Sequence, residues 1–147
     1  DEIGGNAKMD EFRAAMGICN LKNIDSCISR RGEAFRRYSE RLSGVKGIRL
    51  MKEQPDVTPN YAYYAVLFDP AEFGESRDDV YERLKQNDIY ARKYFYPSIN
   101  EMQCYAGENT EITPIAAKIS RQVLTLPMYA DLELEQVDRI CDVILSK

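Results

Sequence analysis

The chain of 147 residues contains no histidine. That removes Ser-His-Asp and Cys-His nucleophile systems and every His-ligated metal site in one step. Cysteine is scarce: four residues, at 19, 27, 104 and 141, with no Cys-x-x-Cys pair. Cys19 and Cys27 fall eight apart in a stretch with helical periodicity, and a 1.5 Å rise per residue separates them by roughly 12 Å, beyond the Cα reach of a disulfide. Four such thiols make neither a disulfide framework nor a zinc site, so reduced, mostly buried cysteines in a cytoplasmic protein are expected. A basic excess is also missing. The 20 Lys and Arg against 24 Asp and Glu give a net charge of −4, and no nucleic-acid partner is expected. The longest apolar run, Tyr61 to Phe68, is too short to cross a bilayer, and no secretory leader is recognisable. No membrane association is expected. The chain opens on Asp1-Glu2-Ile3 rather than Met, as a piece cut from a longer protein would.

What is present suits a folded domain, or one domain with an appendage: 44% apolar and 30% charged residues. Met9, Phe12, Ala15, Met16 and Cys19 recur at steps of three and four, as do Ile24, Ile28, Phe35, Tyr38 and Leu42, which predicts helix over 8–43. Asn23 and Asp25 predict a break or bend between the halves, Gly17 a close backbone contact, and Ser43-Gly44 the end. Short strands are expected around Ile48 to Leu50, over Tyr61 to Phe68, over Ile89 to Tyr96 and at Val123 to Leu126. Ser76 and Asp79 read as a capping box for a helix running to about Gln86. Thr113-Pro114 opens another helix to about Gln122, and Asp131 is expected to cap a last one with an apolar stripe of Leu134, Val137, Ile140, Cys141 and Ile144. The fold class is α+β: a long, bent N-terminal helix, then a small, mainly antiparallel sheet with helices packed on one face. Residues 1–43 read as linking and interface helices, and 44–147 as a small C-terminal domain.

Three segments could carry chemistry. Gly4-Gly5-Asn6-Ala7-Lys8 precedes the long helix, where unpaired N–H groups and a partial positive charge attract phosphate or carboxylate; Asn6 reads equally as a plain helix cap. In Ile89 to Pro97, a strand would put Tyr90, Arg92, Tyr94 and Tyr96 on one face and Ile89, Ala91 and Phe95 on the other. Three tyrosines and an arginine suit a cleft wall touching a sugar, base or phosphate, or the rim of a half-buried strand. The run Arg30, Arg31, Arg36, Arg37 and Arg41 reads as a solvated helix face, with Glu33 placed to pair with Arg37. No lysine is singled out as a Schiff-base candidate.

Read together, Gly4-x-Asn6-x-Lys8-Met9-x-Glu11-x-x-Ala14-Ala15-x-Gly17 resembles the Gly-x-Asn-x-Arg/Lys-Met signature of sugar-nucleotide aminotransferases of the DegT/DnrJ/StrS type. Asn20-Leu21-x-x-Ile24-Asp25, Arg30-Arg31-x-x-Ala34-x-x-x-Tyr38, Arg92-x-Tyr94-Phe95-x-Pro97 and Val123-Leu124-x-Leu126-Pro127-Met128-Tyr129-x-Asp131-Leu132 continue that resemblance in order over nearly the whole chain.

The resemblance implies a fold-type-I, homodimeric enzyme that uses pyridoxal 5'-phosphate to move an amino group, usually from glutamate, to a nucleotide-linked keto-sugar. It places the Schiff-base lysine upstream of Asp1, so the chain is expected to correspond to the C-terminal part, to carry no catalytic residue and to be inactive alone. Asn6 would reach the cofactor phosphate of the other subunit, Lys8 would lie near the same cofactor or the substrate, and Arg92, Tyr94 and Tyr96 would line the nucleotide-sugar cleft. No metal is implied. Ser98-Ile99 follows Pro97 where Leu-His is frequent in the family, and Arg13 and Asn20 stand where glutamine is common. An alternative is a non-catalytic module for nucleotide-sugar binding or dimerisation.

Overall fold

The computed structural model describes residues 8–105 and 113–146. Helix α1 (Glu11–Leu21) starts at Asp10, whose carboxylate accepts the Arg13 N–H at 2.9 Å. It stops at Lys22, and α2 (Ile24–Leu42) begins after Asn23. The predicted break or bend is therefore a break. Strands β1 (Ile48–Leu50), β2 (Tyr64–Phe68) and β3 (Val123–Leu126) form one antiparallel sheet in the order β1-β2-β3. Ile48 pairs with Phe68, and Val66 with Leu124. Helices α3 (Pro70–Phe73), α4 (Arg77–Gln86), α5 (Pro114–Gln122) and α6 (Leu134–Leu145) complete the fold, with single 3-10 turns at Ile99–Glu101 and Gln103–Tyr105.

The pleat sorts β2 into two faces. Tyr64, Val66 and Phe68 are buried, as are Leu124 and Leu126 beside them. Over that face lie α2 and α6: Tyr38 stacks on Tyr64 at 4.8 Å and donates its hydroxyl to Pro127 O at 3.1 Å. Val137, Ile140, Cys141 and Ile144 bury the expected stripe of α6, while Leu134 at its start stays exposed. The other face carries Tyr63, Ala65 and Thr125, and α5 runs beside it. Among the described residues no helix is long and apolar enough to cross a membrane.

Several expectations are corrected. Helix α6 is capped by Glu133 in a capping box with Gln136, and Asp131 instead pairs with Arg30 at 2.8 Å. Arg37 does not use Glu33. It grips Asp138 of α6 with two hydrogen bonds of 2.8 Å, and Arg41 adds a third at 2.7 Å. Part of the arginine run is thus an ionic seam between helices, one that spacing within α2 could not reveal. The capping box of Ser76 and Asp79 forms as expected. Among the described residues nothing lies within 4 Å of a Cβ added at Gly17; within these two helices the close approach is at Gly32, where an added Cβ would meet the Tyr61 ring at 3.0 Å. Tyr61 itself sits at φ 49, and Tyr64 opens β2 three residues later than expected. The cysteines are all free, but Cys141 alone is buried. Cys19 is exposed because α1 buries none of its residues, and among the described residues nothing covers its stripe, which includes Phe12 at 85%.

Candidate functional site

Residues 89–96 were expected to form a strand with alternating faces. Alternation holds at first: Ile89 and Ala91 are buried, while Tyr90 and Arg92 are exposed. Pairing then shrinks to one bridge, in which Arg92 and Thr125 exchange N–H···O bonds of 2.9 and 2.8 Å. In that register Tyr90 faces Pro127, which has no N–H to offer, so no doubly bonded pair can follow on that side. On the other side, where Tyr94 would face Val123, a turn at Tyr94 and Phe95 replaces the strand. Phe95 swings out to 79% exposure, away from the buried side it was expected to share with Ala91.

The turn redistributes the predicted site residues. Arg92 Nη1 donates to the Tyr94 hydroxyl over a long 3.5 Å. Tyr94 meets the edge of Tyr63, ring centroids 5.3 Å apart, and that of Phe95 at 4.9 Å. The hydrogen bond from Arg92, then that with Tyr63, holds the Tyr94 hydroxyl below the ordinary tyrosine range, while the same contact raises Tyr63. Tyr96 does not join them. Its ring lies over the Arg77 guanidinium, 4.8 Å from centroid to Cζ. Lys8 is exposed ahead of α1. Asn6 lies outside the described residues, and the cap of the helix is Asp10.

Tyr63 and Tyr94 form a ridge between two hollows. On one side, Tyr63, Tyr90, Arg92, Tyr94, Met128 and Tyr129 surround a cavity of about 320 Å³. On the other, Met51, Tyr94, Phe95, Ile99, Tyr105 and Ile119 lie around an open, apolar hollow of about 890 Å³ beside α5. The smaller cavity offers aromatic faces, phenol hydroxyls and one cation, a set able to hold a base or sugar and a phosphate together. Tyr63 and Tyr129 had not been singled out from sequence. Assigning the Tyr64–Val66–Phe68 face to the core puts Tyr63 on the opposite face, so its signal was in the alternation. Tyr129, two residues after Pro127, stood only within a motif of the family resemblance, and no periodicity marked it as a site residue.

With that cavity described, likeness to known proteins becomes informative. The sequence model of the DegT/DnrJ/EryC1/StrS aminotransferase family matches residues 1–145. The chain belongs to this family. A dTDP-4-amino-4,6-dideoxy-D-glucose transaminase of Escherichia coli is 40% identical over 98% of this chain, and a GDP-perosamine synthase of Escherichia coli O157:H7 is 31% identical over 98%. The match takes in 39% and 38% of those proteins, so the chain spans about two-fifths of the length of the curated relatives it matches. Among solved structures, DesI in the presence of its TDP-sugar product superposes with a TM-score of 0.89 at 30% identity, covering 97% of this chain and 36% of that one. Streptomyces venezuelae DesV, in complex with a ketimine intermediate, gives 0.84 at 28%, covering 99% and 38%.

Aminotransferases of this family depend on pyridoxal 5'-phosphate. That cofactor needs an amine for its aldehyde and a cationic or N–H-rich site for its phosphate. Among the described residues no lysine lines either aromatic hollow. Lys93 is held by Asp78 at 2.5 Å, and Lys52 and Lys118 border other depressions. Exposed Lys8 can meet a phosphate. The described residues therefore fit an outlying contact to the cofactor and do not make its site by themselves.

Proposed function

We propose that this family member works as the small-domain portion of an enzyme that transfers an amino group, usually from glutamate, to a nucleotide-linked keto-sugar in amino-sugar biosynthesis. The observation that carries the proposal is the cavity in which Arg92, Tyr94 and Tyr63 converge, in a chain similar to dTDP- and GDP-sugar aminotransferases. Arg92 supplies the cation for the diphosphate, and Tyr94, Tyr63 and Tyr90 supply ring faces and hydroxyls for sugar or base. With its amine partner absent from these hollows, the cofactor is bound mainly by protein outside the described residues, and Asn6 and Lys8 contribute to its phosphate.

In this reading residues 1–43 link and meet a second subunit of a homodimer, while 44–147 form the substrate-facing domain. The uncovered stripe from Met9 to Cys19 supports the first part. The buried Ala34, Tyr38 and Leu42 tie the second half of α2 to the sheet as well. Four free thiols suit a reducing compartment such as the cytoplasm.

The test is an amination assay on the purified chain with pyridoxal phosphate, glutamate and a dTDP-linked 4-keto-sugar. No amino-sugar forms if the cofactor lysine lies elsewhere. Turnover by the chain alone would overturn this division of labour. A non-catalytic binding or dimerisation module would give the same silence, and would stay silent when the chain is expressed as part of any longer reading frame containing it.

A further inference from the structure

Arg77 is the largest fully buried side chain, with 1% of its surface exposed, at the first position of α4. A guanidinium cannot shed its charge, so burial demands partners on every side. Nη1 donates to the carbonyls of Ser120 at 3.1 Å and Val123 at 2.9 Å, and Nε to Asp78 at 2.9 Å. Nη2 is buried with no hydrogen-bond acceptor. Among the described residues, the face of Tyr96 lies over this guanidinium, and its π electrons attract a desolvated cation.

The same end of α4 holds the adjoining residues of that segment. Asp78 pairs with Lys93 at 2.5 Å, and the Lys93 ammonium also sits over the Tyr81 ring, 4.3 Å from its centroid. Ser98 donates to the Ser120 hydroxyl at 3.3 Å, next to the carbonyl that Arg77 uses. Beyond the Arg92–Thr125 bridge the chain has left the sheet, so these side chains set the path from 93 to 98. Lys93 and Tyr96 face α4, whereas Arg92 and Tyr94 line the cavity and Tyr94 meets Tyr63.

We propose that Tyr96 and Arg77 are positioning residues: the ring of Tyr96, clamped on the buried guanidinium, holds the turn so that Arg92 and Tyr94 meet in the cavity. Tyr96 is then no substrate contact. The role assigned to the cavity rests on the nucleotide-sugar reading above, whereas the clamp itself does not.

The experiment follows tyrosine ionisation by NMR in the whole chain carrying carbon-labelled tyrosine, with the Tyr94 signal identified by its loss in Tyr94→Phe. The groups facing that hydroxyl are Arg92 and Tyr63. Wild-type Tyr94 ionises below the ordinary tyrosine range. Tyr96→Phe keeps the ring and leaves that midpoint in place, while Tyr96→Leu removes the ring and lets it rise to the ordinary value. Because Tyr96 is half exposed, Tyr96→Leu keeps the fold, whereas Arg77→Gln disturbs the buried carbonyls of Ser120 and Val123. A Tyr94 midpoint unmoved in folded Tyr96→Leu, moved equally by Tyr96→Phe, or ordinary in the wild type would overturn the clamp. A second arm titrates dTDP. Tyr96→Phe binds like wild type, and Tyr96→Leu binds about tenfold more weakly. Equal loss in both, with Tyr94 unmoved, would make Tyr96 a direct contact and end the proposal. If dTDP perturbs no variant, the nucleotide reading of the cavity fails, and the ionisation arm still decides the clamp.

Discussion

Arg37 of α2 holds both carboxylate oxygens of Asp138 of α6, at 2.8 Å each, and Arg41 shares one of them. The two helices that cover the sheet are thereby joined at their rim by an ion cluster 101 and 97 residues apart in sequence. Hydrogen bonds from Arg37, then Arg41, hold the Asp138 carboxyl below its ordinary value. A carboxylate depressed on folding adds stability above its unfolded pKa and loses it as the pH falls through the folded one. Asp138→Asn is therefore expected to narrow the stability gap between pH 7 and pH 3. Denaturant melts at the two pH values check this, and an unchanged gap would count against the seam.

Gly47 sits at φ +81, and a Cβ there would lie 2.2 Å from the backbone nitrogen of Phe73. Gly44, at φ +76, has open space around the same position. Gly44→Ala should cost about 1 kcal/mol, from backbone strain alone. Gly47→Ala should cost about 3 kcal/mol or more, because α3 must also move. Paired urea melts compare them, and equal losses would contradict the packing of α3 on this turn.

Burial separates the thiols. The Cys141 thiol is pushed up to about 12, by desolvation first, whereas Cys19 and Cys104 are exposed. Maleimide at pH 7.5 should modify Cys19 and Cys104 quickly and leave Cys141 intact until the chain unfolds. Mass spectrometry of timed samples reads this directly. Early labelling of Cys141 would mean that α6 is not seated.

Inside the core, Leu124 is fully buried on the face shared with Val66, and Tyr38 adds a hydrogen bond to Pro127 O. Leu124→Ala should cost about 3 kcal/mol and Tyr38→Phe about 1 kcal/mol. Calorimetric unfolding of both variants would show the larger loss at Leu124, and a reversed order would contradict the assignment of the core face.

The helices and central strands were legible in the sequence because their signals are local. Ser76 and Asp79 mark the start of α4 by themselves, and Val137, Ile140, Cys141 and Ile144 mark its neighbour's buried stripe. Asp131 and Arg37 went astray because their partners, Arg30 and Asp138, are about a hundred residues away. The site was half legible. Arg92 and Tyr94 do come together, but Tyr96 was misplaced by extending a two-residue period through a turn. Nothing local announces that Pro127, opposite Tyr90, prevents the ladder from growing. The motifs over Gly4 to Gly17 and Val123 to Leu132 pointed to the family whose sequence model matches residues 1–145.

The cavity around Arg92, Tyr94 and Tyr63 is the one proposed to receive the nucleotide-sugar. The most direct measurement is an NMR titration of the labelled chain with dTDP-4-amino-4,6-dideoxy-D-glucose, repeated on Arg92→Gln. The account predicts saturable shifts confined to tyrosines 63, 90, 94 and 129, with affinity at least about tenfold weaker once the arginine is gone. Shifts elsewhere in the chain, or equal affinity without Arg92, would contradict it.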